Sequence, residues 1–450
     1  MSVLFQNVRT VVTCDDGDRV LHNVDVLLTG NKIAAVGEVE GACETVIDGR
    51  NLILYPGLVN THHHLYQYFT RNLPSVQGLE LFDWLTALYG IWANLNAGTV
   101  RLSSLAGMGE LMKYGCTTCF DHHYVFPNGA GDLISAQFDA AETLGMRMHA
   151  SRGSMSLSKK DGGLPPDSVV QTTDEILKDS QRLIEKYHDA SAYSMRQMVL
   201  APCSPFSVTG EVMRASAALA REKGVRLHTH LCETKDEERF TLEQFGMRPL
   251  DYMESVDFVG DDVFYAHGIH FTTEELQYLA KTGTGVAHCP CSNMKLSSGV
   301  ARVPEMLKLG VPVGLAVDGS ASNDASNLMD EIRTAYLLHR LTWGDDAPTG
   351  YDLLKMATRG SARLLGRKDI GQITEGKAAD LFAIRSDRME LTCAEGDEKN
   401  LFGTVGYHLP ADYVFVNGKM TVRDGRLLTV DEDKLAAEAR TEVSRLLKNV

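Results

Sequence analysis

The chain lacks any apolar run approaching the about 20 residues needed to cross a bilayer, and Met1-Ser2-Val3-Leu4-Phe5 opens without the basic residues and apolar core of a signal peptide. A cytoplasmic location is therefore expected, with no membrane partner. Basic residues are also short: 44 Lys and Arg against 59 Asp and Glu leave a formal charge of −15, which argues against nucleic acid or an anionic membrane as partner. There is no disulfide framework, since the nine cysteines are odd in number and scattered over 450 residues. Cys116-x-x-Cys119 and Cys289-x-Cys291 have no second pair to complete a zinc ribbon, so they read as buried or pocket thiols. Low-complexity tracts are missing too, and a 44% hydrophobic content suffices for a large core.

What is present is histidine in spaced pairs. The run Pro56-Gly57-Leu58-Val59-Asn60-Thr61-His62-His63-His64 follows an apolar stretch, and on a strand residues i and i+2 face the same side, so His62 and His64 can grip one ion while His63 points away. Val225-Arg226-Leu227-His228-Thr229-His230 ends a second apolar strand in His-x-His, with Glu233 three residues beyond. Val263–His267 ends another strand in histidine, and Val313–Asp318 ends one in aspartate. A single such histidine is ordinarily a hydrogen-bonded core or surface residue. Several strand ends that all terminate in ligand chemistry are not explained that way. The candidate metal set is His62, His64, His230, His267 and Asp318; imidazoles with one carboxylate suit Zn²⁺ or Fe²⁺, whereas Mg²⁺ and Ca²⁺ want mostly oxygen.

Strand-like runs near 52–62, 116–122, 146–154, 197–204, 225–231, 263–268, 284–290 and 312–318 alternate with segments of helical spacing such as Val212–Lys223 and Glu274–Thr282. Eight such units predict an α/β (β/α)8 TIM-type barrel, whose chemistry sits at the carboxyl ends of its strands. The flanks read as short β segments: Val3–Thr13, Val24–Thr29, Lys32–Val36, Leu381–Ile384, Tyr413–Val416 and Lys419–Arg423, with Asn417-Gly418 and Asp424-Gly425 as hairpin turns. The expected organisation is a barrel over 57–368 and a small β-sandwich domain formed by both chain ends, 1–56 and 369–450. It closes with an amphipathic helix over 431–450 that carries Leu435, Ala439, Val443 and Leu446 on one stripe.

With these residues assembled, the chain resembles the amidohydrolase superfamily, in its deaminase/chlorohydrolase branch, over essentially its whole length. The carriers are Pro56-Gly57 to His64, His230-x-x-Glu233, Ala266-His267, Asp318-Gly319 and the late run from Gly371 to Leu381. The resemblance implies one divalent metal, zinc or alternatively iron, held by His62, His64, His230 and Asp318, with His267 near the attacking water, and it implies a homo-oligomer. The fourth strand, Gln197–Cys203, has no lysine to bridge a second ion. A divalent cation lowers the pKa of water from 15.7 to near neutrality. Asp318 and His267 are placed to orient that water and Glu233 to carry protons to a ring nitrogen and then to the departing amine. The catalytic set is thus Glu233, His267 and Asp318, acting with water on a small heterocycle. The other zinc deaminase signature, His-x-Glu with Pro-Cys-x-x-Cys, is absent, because Pro290-Cys291-Ser292-Asn293 lacks the second cysteine.

Within the superfamily the sequence is most similar to the 8-oxoguanine deaminases, through His63-His64-Leu65-Tyr66-Gln67, Asp121-His122-His123-Tyr124, Arg152 to Leu157, Asp161 to Pro166 and Cys203 to Ser207. That similarity implies hydrolysis of 8-oxoguanine to urate and ammonia. Gln67 can pair with a purine carbonyl and ring N–H at once, while Cys203 and Tyr124 are placed to border the ring. Gly162-Gly163 before Leu164-Pro165-Pro166 predicts a long loop after the third strand, either a hinged lid or an ordinary surface excursion. The same metal set serves guanine, isoxanthopterin and cytosine deaminases and triazine hydrolases. A non-catalytic barrel scaffold is the remote alternative, opposed by the completeness of the ligand set.

Overall fold

Eight short parallel strands pair side by side in chain order: Leu58–Asn60, Cys116–Asp121, Arg147–Ser154, Arg196–Pro202, Arg226–Leu231, Val263–His267, Gly285–His288 and Val313–Leu315. The computed structural model describes residues 2–448. Helices cover the outside of these strands, which are buried on both faces and so read in sequence as near-continuous apolar runs. Val59, Phe120, Val199, Phe264, Ala287 and Ala316, one from each of six strands or strand ends, meet in one apolar cluster, as a filled barrel interior requires.

The first and last strands close the ring largely through side chains. Thr61 Oγ1 donates to the Leu315 carbonyl at 3.0 Å, and Val317 N–H to Asn60 Oδ1 at 3.0 Å. Asp318 N–H donates to the His62 carbonyl at 3.1 Å. This last bond brings together two candidate ligands that lie more than 250 positions apart.

Both chain ends build the second unit, as the flanking β segments predict. It is one continuous sheet of nine strands, in which Ser2–Val12, Val20–Thr29 and Lys32–Gly37 from the amino end join Leu52–Pro56, and Leu381–Arg385, Tyr413–Val416, Lys419–Arg423 and Arg426–Leu427 continue from the carboxyl end. Thr45–Asp48 adds parallel to Ser2–Val12. The predicted single strand over 52–62 is two strands. Leu52–Pro56 pairs with Leu381–Arg385 in the small sheet, and Leu58–Asn60 pairs with Cys116–Asp121 in the barrel. One strand cannot lie in both sheets, and the chain passes between them at Gly57, where a Cβ would stand 2.2 Å from Thr117 Oγ1. The closing helix runs Glu432–Leu446 and packs its Leu435, Ala439, Val443 and Leu446 stripe on the main core. Met1 and the last two residues of the predicted span lie outside the described residues. Among the described residues no helix is long and apolar enough to cross a membrane.

A buried ion pair ties the two units together. Arg147, at the start of the third barrel strand, reaches Asp380 at 3.0 Å with both side chains at most 1% exposed, and donates to the Tyr193 carbonyl at 2.9 Å. Asp380 also accepts from Asn417 N–H at 2.6 Å, inside a hairpin of the small sheet. Removing one member of such a pair leaves the other charge buried and uncompensated. Arg147→Ala should therefore cost about 3–5 kcal/mol in urea denaturation, with the Arg147→Ala/Asp380→Ala double variant losing less than the sum of the singles.

Candidate active site

The carboxyl ends of the barrel strands deliver their polar side chains to one point. His62 Nε2 and His64 Nε2 each lie 3.3 Å from Asp318 Oδ1, and His64 Nε2 lies 3.2 Å from His230 Nε2. His267 Nε2 stands 3.9 Å from Asp318 Oδ2 and 3.5 Å from Glu233 Oε2. His63 points away to Ser326 Oγ at 2.9 Å, as its place between two inward residues predicts. Three of the strand ends turn through residues with left-handed backbones: Cys232 at φ 54°, His267 at 73° and Asp318 at 61°. Such conformations are costly for residues other than glycine and persist only where surroundings enforce them.

Hydrogen bonds on the far side of each ring decide which nitrogen faces inward. A carbonyl only accepts, so His64 Nδ1–H donates to the His122 carbonyl at 2.7 Å and His230 Nδ1–H to that of Cys203 at 2.7 Å. His228 Nδ1–H donates to the Phe264 carbonyl at 2.8 Å, so its Nε2 is an acceptor for His62 Nδ1–H at 2.9 Å. His62, His64 and His230 therefore all carry bare Nε2 lone pairs, those of His62 and His64 facing the Asp318 carboxylate and that of His230 facing His64. The His62 Nε2 atom is buried with no hydrogen-bond partner.

Lone pairs facing one another beside a carboxylate repel unless a cation lies between them. Tetrahedral ligands about 2.0–2.1 Å from zinc stand about 3.3 Å apart, which is the spacing seen here. Burial lowers the pKa of each of these three imidazoles and keeps them neutral. Burial alone would raise Asp318, but the His62, His267 and His64 rings packed around it favour the ionised form and hold it well below the usual carboxylate range. A donor set of neutral imidazoles and one ionised carboxylate fits a divalent metal.

His122 belongs to the same cluster, although the sequence reading gave it no role. Its Nε2–H donates to the Ala201 carbonyl at 2.9 Å, its Nδ1 is unpartnered, and its ring stacks on His230 at 4.7 Å. The ligand atoms of His62, His64, His122 and His230 all lie within 4.8 Å of one another. The available signal was its place at the end of the Cys116–Asp121 strand.

Beside this cluster is a small cavity lined by His64, His230, Glu233, His267 and Asp318 and by all three residues singled out for substrate, Gln67, Tyr124 and Cys203. Leu81, Trp84 and Leu85 of the helix Leu81–Trp92, with Phe206 and Leu296, supply its apolar wall. No residue of the 152–167 loop lines it. His288 pairs with His339 at 3.2 Å and His270 with the Ser298 carbonyl at 3.0 Å, both away from the cavity. Gln67 is 1% exposed and neither end of its amide has a partner at hydrogen-bonding geometry. It lies against Gly319, where a Cβ would stand 1.9 Å from Gln67 Oε1.

Burial pushes the Glu233 carboxyl up to about 7, with His267 drawing it down and Asp318 adding to the rise. Its side chain is loosely held, since Ser298 Oγ is 3.5 Å from Oε1. Burial opposes a charged His267, but the Glu233 and Asp318 carboxylates and the bond from Nδ1 to Asn293 Oδ1 at 2.9 Å outweigh it. Around these groups, buried carboxylates brace the backbone. Asp121 accepts from Leu65 N–H at 2.6 Å, next to His64. Glu331 accepts from Cys291 N–H at 3.2 Å and from Asn323 Nδ2 at 2.6 Å, and Asn323 in turn donates to the Val317 carbonyl beside Asp318.

The amidohydrolase family model matches residues 53–425. The chain is 47% identical over 405 residues to 8-oxoguanine deaminase of Pseudomonas aeruginosa, covering 90% of each protein. It is 40% identical over 457 residues to hydroxydechloroatrazine ethylaminohydrolase of Pseudomonas sp. (strain ADP), covering 97% of this chain and 94% of that one. Its fold superposes on zinc-complexed atrazine chlorohydrolase from Arthrobacter aurescens TC1 with a TM-score of 0.94 at 33% identity, covering 98% of this chain and 100% of the other.

Two outcomes follow from this architecture. Loss of the tautomer lock on a ligand typically costs 10–100-fold in metal affinity, so His228→Ala, which leaves every proposed ligand in place, should weaken zinc binding by about that much in chelator competition. Burial raises Glu331 to about 8 from an ordinary value of 4.5, so between those values the folded state holds a proton that the unfolded state has lost. Stability is then fully present at low pH and falls as pH rises through that window. Whatever its stability at pH 5, Glu331→Gln should gain on the native protein between pH 5 and pH 8.5 in thermal melts, because its amide does not titrate.

Proposed function

Since the chain belongs to the amidohydrolase family, and is a hydrolytic aminohydrolase with a histidine-rich metal site, we propose that it deaminates 8-oxoguanine: water adds, the exocyclic C–N bond breaks, and urate and ammonia leave. The observation that carries this reading is Gln67, a buried amide with both ends unsatisfied that lines the same cavity as Glu233, His267 and Asp318. A buried amide without partners is costly, and a ring lactam offers the carbonyl and N–H that complete it. Cys203 and Tyr124 border the ring, and Leu81, Leu85 and Phe206 exclude water from its faces.

His62, His64, His230 and Asp318 would hold one zinc ion. When bound, zinc supplies Lewis acidity and brings the pKa of water near neutrality. The protein's own groups move the protons. Glu233, with its carboxyl near 7, takes a proton from the attacking water and gives it to the ring nitrogen, then takes the remaining proton from the hydroxyl added to the ring carbon and hands it to the amine as the C–N bond breaks and the carbonyl forms. His267, turned by Asn293, orients the water between Glu233 and Asp318. Asp318 stays ionised throughout and balances charge at the point of attack. A second reading, an amino-substituted triazine as substrate, is supported by the 40% identity to an ethylaminohydrolase.

The test is ammonia release by zinc-loaded protein from 8-oxoguanine, guanine, isoxanthopterin, cytosine and amino-triazines, ranked by kcat/KM. 8-Oxoguanine should lead by at least about tenfold, since hydrogen-bond readout separates such analogues strongly. A pterin or triazine in the lead would replace the substrate, and no turnover with any of them would end the deaminase reading. Glu233→Gln should lose about 10²–10⁴-fold in kcat while keeping metal.

A further inference from the structure

Three helices of this protein begin with ordinary capping boxes. In each, the acid at the third helical position returns to the N–H of the cap residue itself: Glu175 to Thr172 at 2.9 Å, Glu275 to Thr272 at 2.7 Å and Asp352 to Thr349 at 3.0 Å. The helix Lys235–Phe245 starts with the same residue types, Thr234 as cap and Glu237 at the third position, and Thr234 Oγ1 accepts from Glu237 N–H at 3.3 Å. Yet Glu237 does not close the box. Its two oxygens pass over Thr234 and accept from Cys232 N–H at 3.0 Å and Glu233 N–H at 3.0 Å.

This departure falls where the site needs rigidity. Cys232 is left-handed at φ 54°, and consecutive N–H groups in such a turn form a concave donor pair that an anion fills. Glu237 is fully buried, and among the described residues no cation pairs with it. Burying a carboxylate without a counter-ion is expensive, so the placement has a reason beyond capping. The Cys232 carbonyl, on the other side of the same turn, accepts from Ile269 N–H at 2.8 Å and His270 N–H at 3.0 Å, which joins the turn to the strand end bearing His267. Meanwhile the Glu233 side chain is held by contacts no closer than 3.5 Å, to Ser298 and His267. Its direction is therefore set from its backbone.

We infer that Glu237 is a positioning residue for Glu233: its carboxylate clamps the two N–H groups of the left-handed turn and so aims the Glu233 carboxyl at the reacting atoms. The inference rests on Glu233 as the proton carrier. A misplacement of 1 Å in such a group can cost about 10²-fold in rate. Glutamine at 237 keeps the shape but turns one acceptor into a donor facing an N–H, so it breaks the clamp without opening a cavity.

The experiment is a double-mutant cycle on full-length, zinc-loaded protein with the heterocycle that turns over fastest, combined with hydrogen exchange of the peptide spanning 231–238. Glu237→Gln should lower kcat about 10–100-fold with KM and bound zinc within about threefold, and should speed exchange of that peptide about tenfold or more. Introduced into Glu233→Gln, the same change should cost less than about threefold further, because a positioning effect has nothing left to act through. Glu175→Gln, which removes an ordinary cap on a remote helix, should leave kcat and the 231–238 exchange unchanged. A Glu237→Gln enzyme within about twofold of native kcat would overturn the inference, and so would an equal loss in the native and Glu233→Gln backgrounds. Native speed in Glu233→Gln would instead overturn the proton-carrier reading itself. If Glu237→Gln does not fold, Glu237→Asp, which keeps the charge but is too short to span both N–H groups, takes its place under the same criteria.

Discussion

Repulsion between donors is the central constraint of this molecule: the bare Nε2 atoms of His62 and His64 each stand 3.3 Å from an ionised Asp318 oxygen, and that of His64 stands 3.2 Å from His230 Nε2, all buried. A divalent cation held between them would relieve that repulsion. The fold supplies the force that holds the donors there. Carbonyls of His122, Cys203 and Phe264 orient the rings from behind, directly or through His228. The bond from Asp318 N–H to the His62 carbonyl makes closure of the barrel and assembly of the ligand set the same event.

The cost of this preorganisation is spread over the surrounding shell of buried carboxylates and strained turns. Asp121, Glu237 and Glu331 are all buried and all pushed upward in pKa, first of all by burial. Each one holds backbone N–H groups or an amide next to a site residue. Cys232, His267 and Asp318 keep left-handed backbones at the strand ends. Individually these features are unfavourable, and they persist because the surrounding structure enforces them.

Charge handling and recognition are separated in space. The metal-side groups gather on the strand ends, while the cavity wall comes from the helix Leu81–Trp92 and from Phe206, which are apolar. Gln67 lines the same cavity, and its amide is buried without a partner at either end, which is costly.

Much of this was legible in the sequence because it depends on local patterns. Buried parallel strands are apolar along their length, so the eight barrel strands and their order could be read. Ligand chemistry at strand ends gave His62, His64, His230, His267 and Asp318 as a set, and the flanking β segments with their turn residues gave the small sheet. The break at Gly57 was invisible to that reading, because the apolar run continues through it and only the close approach of Thr117 divides one sheet from the next. His122, His228 and Glu237 escaped for a related reason. Sequence states what a residue can donate or accept, and here it determined the fold class and the histidine and aspartate chemistry of the metal site. Tertiary structure alone decided which lone pair faces inward, which carboxylate clamps which N–H and which helix walls the cavity, since those depend on distances between segments that packing brings together from far apart in the chain.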